Sequence, residues 1–88
     1  MEIMNARQME RTVHREHVDT KFKNMVNHQQ KIIKENMLQG YNSVLWIFSD
    51  KAYYSNPFEK CWFDEFNIRA KELFESAGYK IKGITITW

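Results

Sequence analysis

The first 39 residues contain neither glycine nor proline, and Gly40 is the first backbone breaker the chain meets. In a chain of 88 residues that one fact restricts the fold severely. The segment is rich in good helix formers, and Phe22, Met25, Val26, Ile32, Ile33 and Met37 recur at helical spacing, so a helix ended by Gly40 is expected. At a rise of ~1.5 Å per residue it would run ~55 Å, against a radius of gyration of ~12 Å for a compact domain of this size. Such a helix overhangs its own domain. The stripe is weaker before residue 20, where Ile3, Met4, Met9, Val13, His17 and Val18 follow no single face. Asp19-Thr20 can cap a second helix there, which would kink the arm and fold it back.

The second half has a different character, since Phe22 is the only aromatic residue before Tyr41. Ser43-Val-Leu-Trp-Ile-Phe48 has no alternation and suits a short strand buried on both faces. A second helix is expected from Asn56 as N-cap, Pro57 in its first position and Glu59 closing a capping box. Phe58, Trp62, Phe66, Ala70, Leu73 and Ala77 form its stripe, and Gly78 with Tyr79 against Phe74 ends it. In the last segment the apolar parity switches across Gly83, which reads as a bulge in one strand. The expected fold is α/β. Residues 1–39 form a helical arm, and residues 40–88 a βαβ core whose two strands are parallel through a right-handed crossover. Two parallel strands need cover on both faces, so a homo-oligomer is expected, with Phe22, Val26 and Ile33 at the subunit boundary.

Thirteen basic against eleven acidic residues leave +2 at pH 7, too little for a protein that coats nucleic acid. One cysteine, Cys61, permits no internal disulfide and reads as buried beside Trp62. The longest apolar run, Val44 to Phe48, is five residues and cannot span a membrane. A cytoplasmic protein is expected.

Glu10, His14 and His17 share a helix face, but three ligands on one helix without a partner elsewhere do not make a convincing metal site. No metal and no cofactor are expected. Arg7, Arg11 and Arg15 form a stripe that could contact phosphate or nucleic acid, with acidic residues interspersed. The loop after the first strand is the stronger candidate, because ligands collect beyond the carboxyl ends of parallel strands and near helix N-termini. There Lys51 supplies charge, Ser55 and Asn56 supply hydrogen bonds, and Tyr53 and Tyr54 supply stacking faces. Trp88, at the end of the last strand, would border the same rim. The alternative is an ordinary connector whose tyrosines cover the core.

Ala77-Gly-Tyr-Lys-Ile81, followed by a strand closing on Ile84-Thr-Ile-Thr-Trp88, resembles the small accessory proteins of tailed bacteriophages. The resemblance implies a stoichiometric antagonist that blocks a host enzyme or sequesters a nucleotide signal. Two roles follow as expectations, neither enzymatic. One is a homo-oligomer sequestering a small anionic nucleotide at the 49–56 loop; the other is a protein inhibitor using the first helix or the edge of the last strand. Weak nucleic-acid binding through the arginines is a third.

Overall fold

The computed structural model describes residues 3–54 and 57–88, without the side chains of 57 and 58. Helix α1 spans Ala6–Leu38 without interruption, so Asp19-Thr20 neither caps nor kinks it. Asn5 starts the helix by a capping box: its side chain accepts from the Gln8 N–H at 2.9 Å, and the Gln8 side chain accepts from the Asn5 N–H. Gly40, at φ +90°, ends it. The Gly40 N–H donates to Met37 O and the Tyr41 N–H to Asn36 O, the pair of bonds that defines a Schellman ending.

Strand β1 covers only Ser43–Leu45. The expected continuation to Phe48 is instead a 3-10 turn, Ile47–Ser49, followed by another at Lys51–Tyr53. Burial without a strand leaves backbone groups that need partners, and two side-chain amides supply them. Gln29 on α1 donates to Leu45 O (3.1 Å) and accepts from the Ile47 N–H (2.8 Å). Asn67 donates to Phe48 O (2.6 Å) and accepts from the Trp46 indole N–H (3.1 Å).

The expected second helix is two helices. A single turn, α2 (Pro57–Lys60), gives way at Cys61-Trp62 to α3 (Phe63–Ser76), and the Trp62 N–H bonds only three residues back, to Glu59 O. Its start at Pro57 is as expected, whereas Asn56, the expected cap, lies outside the described residues. Trp62, Phe66 and Ala70 are buried as the stripe requires, but Phe74 continues it and Leu73 and Ala77 are exposed. Cys61, expected in the core, is exposed. Gly78 and Tyr79 close α3 by a second Schellman ending, with the Tyr79 ring edge-on to Phe74 at 5.6 Å.

Beyond α3 the chain forms a hairpin, β2 (Lys80–Lys82) and β3 (Thr85–Thr87). Gly83 is a turn residue at φ +62° and Ile84 has negative φ, the pattern of a II′ hairpin turn. The parity switch therefore marks a reversal and not a bulge. The sheet order is β1-β3-β2 with both pairings antiparallel, which corrects the expected parallel sheet. The crossover through α3 still sets β1 and β2 in the same direction, but β3 has inserted between them. Val44, Ile86 and Ile81 align across the three strands and face the core, while Ser43, Thr87 and Lys80 align on the outer face.

The core consists of Phe22, Met25 and Ile33 from α1, the Trp46–Phe48 segment, Tyr54, the α3 stripe and Ile86. Phe22 and Ile33, expected at a subunit boundary, are thus buried within one chain, and the half-buried Val26 packs beside them. Cover for the inner face of the sheet, Val44, Ile81 and Ile86, comes from this same chain.

Candidate functional site

Of the six residues expected around the loop after β1, four are described and they do not converge. Tyr54 is 1 % exposed. Its ring is edge-on to Phe63 and its hydroxyl donates to Phe48 O at 3.1 Å, and burial pushes the phenol well above its ordinary range. It is a core residue and offers no stacking face. Tyr53 is half-buried with its ring 5.7 Å from that of His28, and its hydroxyl lies 3.4 Å from His28 Nε2. Lys51 is exposed, its ammonium 5.9 Å from the centre of the Phe63 ring. Trp88 lies at the other end of the sheet, where Thr87 pairs with Ser43 and the Trp88 N–H donates to Asn42 O, so it does not border this loop. Ser55 and Asn56 lie outside the described residues.

The electrostatics of the loop are also weaker for an anion than expected. Asp50 caps the second 3-10 turn by accepting from the Ala52 N–H at 2.9 Å, which places a carboxylate beside Lys51. A helix of four residues sums few peptide dipoles and adds little field at its start.

The sheet edge is guarded too. The central strand is β3, and the outer strand of the hairpin, β2, carries exposed Lys80 and Lys82. Charged side chains on an edge strand oppose pairing with another chain.

The start of α1 is different. Residues 3–17 are exposed, and burial begins with Val18 and Phe22. At 100° per residue, Val18, Phe22, Met25, Gln29 and Ile33 occupy one face of the helix, and extending that row toward the N-terminus gives Arg15, Arg11 and Arg7. The face that packs the core thus becomes an arginine face where the helix leaves the domain. Successive arginines stand ~6 Å apart along the axis. Among the described residues, none of the three guanidiniums has an ion-pair partner within 4.0 Å.

The arm is anchored at its base. His14 and His17 hold their rings 5.5 and 5.4 Å from that of Trp62, which itself stacks on Phe66. One turn further on, Lys21 pairs with Glu59 of α2 at 3.0 Å, and the Glu59 side chain is 6 % exposed. The Arg69 guanidinium lies 4.3 Å from the centre of the Phe22 ring. An open groove follows, bordered by Met9, Arg11, Val13 and Arg15 on the arm and by Trp62 and Glu65 opposite. Arg11 and Arg15 also border a smaller groove beside Ile3, Met4 and Glu16. Among the described residues, no three His, Cys, Asp or Glu side chains are grouped to hold a metal ion. No helix among them is long and apolar enough to cross a membrane.

The sequence signal for this arrangement was the spacing 7-11-15-18-22-25-29-33, which a search for apolar residues alone does not detect. Arginines and Gln29 complete the row.

No family model matches the chain, and no curated protein and no solved structure is a match for it.

Proposed function

We propose that the protein is a non-catalytic binding protein whose working surface is the arginine face at the start of α1, docked against an acidic surface of a protein target. The observation that carries this reading is the row Arg7, Arg11 and Arg15, exposed and without ion-pair partners among the described residues, on a helix anchored in the core at Phe22, Met25 and Ile33. A rigid scaffold reduces the entropy lost on binding, and a guanidinium presents a planar fork suited to carboxylates. The resemblance to phage accessory proteins supports a host protein as the target and stoichiometric inhibition as the outcome.

The test is charge reversal of the arm. Arg7→Glu, Arg11→Glu and Arg15→Glu together are expected to leave the melting temperature nearly unchanged, because these side chains are exposed and away from packed features. The triple variant should no longer retain, from a bacterial lysate, a specific protein that the wild type and Lys51→Ala both retain. Two results overturn the reading. Tight binding to duplex DNA that weakens steeply with salt would make the arm a phosphate reader. A thermal shift with a nucleotide, lost in Lys51→Ala, would return the site to the loop after β1.

A further inference from the structure

The surface of α3 that faces away from the core carries four acidic residues, with the exposed Lys71 and Arg69 at its margins. Taken at 100° per residue, Asp64, Glu65, Glu72 and Glu75 fall within ~100° of one another, opposite the Phe66, Ala70 and Phe74 face, with Ile68 in their midst. All four carboxylates are exposed, and Ile68 is 61 % exposed. Among the described residues none of the four has an ion-pair partner. One chain therefore carries two unsatisfied surfaces of opposite sign, a row of three cations on α1 and a row of four anions on α3. Arg11, Arg15 and Glu65 border the same groove, yet among the described residues neither of these two guanidiniums comes within 4.0 Å of a carboxylate. The lengths agree as well: Arg7 to Arg15 rises ~12 Å along its helix, and Asp64 to Glu75 ~16 Å along the other.

We infer that a second copy of this chain occupies the arm, with Arg7, Arg11 and Arg15 of each copy lying along the Asp64, Glu65, Glu72 and Glu75 face of the other. This rests on the reading of the arm as the docking element and names its partner. A two-fold arrangement forms both contacts at once, each copy giving an arm and receiving one, and closes the assembly at a dimer. Ile68 provides an apolar centre between charged rows, and an external target must compete with this contact for the arm. The pairing is electrostatic and weakens as ionic strength rises.

Sedimentation of the full chain tests the inference. At low salt and micromolar concentration the wild type is expected at twice the 10.7 kDa of one chain, dissociating as salt is raised. The arm-reversed triple variant and the α3-reversed variant Glu65→Lys, Glu72→Lys, Glu75→Lys should each be monomeric, their dissociation constants raised about 100-fold or more. Circular dichroism melts confirm that each is folded, and Glu72→Lys, Glu75→Lys serves if the α3 triple is not. Mixed in equal amounts, the two reversed proteins should form a dimer again, because both contacts of the mixed pair then join opposite charges. A wild type that stays monomeric at low salt, or reversed variants that remain dimeric, would overturn the inference, as would a mixture that does not reassociate. If the wild type is monomeric while arm reversal still abolishes target capture, the inference fails and the proposed function stands.

Discussion

Ile47 has a backbone N–H and no strand partner for it, since β1 has already ended at Leu45, and the Gln29 side chain takes that place. Gln29 is 0 % exposed and holds two backbone groups. Gln29→Leu is expected to lower the unfolding free energy by about 2 to 4 kcal/mol, the cost of leaving a buried donor and a buried acceptor unpaired; urea denaturation measures it. Tyr54→Ala removes a buried ring and should cost about 3 to 5 kcal/mol. Tyr54→Phe should cost only about 1 kcal/mol, because Phe48 O keeps its bond from Asn67. The phenol also imposes a pH dependence. Unfolded, it ionises near 10.0, whereas burial keeps it protonated to higher pH in the folded chain. Above pH 10.0 the unfolded state thus binds fewer protons and stability falls as pH rises. Tyr54→Phe should flatten that fall in melts taken across the alkaline range. The connector alternative anticipated tyrosines covering the core, as Tyr54 and Tyr53 do, but two adjacent tyrosines carry no local signal for which one turns inward, and Gln29 is polar, so an apolar pattern passes over it.

The helices were more legible than the strands, for a physical reason. Glycine termination and four-residue repeats are local, so Gly40, Gly78 and the Trp62, Phe66, Ala70 row were evident in the sequence. Leu73 and Phe74 both fit the repeat, and the Tyr79 ring against Phe74 settles which one enters the core. Phe74→Ala should therefore cost about 3 to 5 kcal/mol, while Leu73→Ala should stay within about 0.5 kcal/mol. The strands depend on partners distant in sequence. Val44 to Phe48 has the composition of a buried strand, yet β3 pairs with only its first part; beyond it the Trp46 N–H donates to Ile84 O, and side-chain amides from two helices hold Leu45 O, the Ile47 N–H and Phe48 O. At the hairpin, Gly83 at φ +62° tolerates no side chain cheaply, so Gly83→Ala should cost about 1 to 2 kcal/mol. A bulge and a two-residue turn both move the apolar parity by one, so the pattern alone does not separate them.

At the scale of the whole molecule the unbroken α1 dominates, giving extents of 57 × 25 × 21 Å and a radius of gyration of 15.9 Å, above the ~12 Å of a compact domain of this size. Its overhang was legible in the absence of glycine and proline, whereas the change of its core face from apolar to arginine appears only when the helix is known to be continuous. The candidate site in the loop was less legible, because it depended on a parallel sheet placing Trp88 and the 49–56 loop at one rim, and insertion of β3 removed that geometry. The proposed docking surface and its pairing both require that Arg7, Arg11 and Arg15 stand clear of the domain on the same straight helix as Phe22 and Ile33. A distance along that helix tests this most directly. Spin labels at residues 8 and 30, both exposed, are introduced in a Cys61→Ser background and diluted with unlabelled Cys61→Ser protein so that only distances within one chain are read. A continuous helix predicts one narrow distribution near ~33 Å. A mean below ~20 Å, as a fold-back at Asp19-Thr20 would give, or a broad spread across both ranges would contradict it.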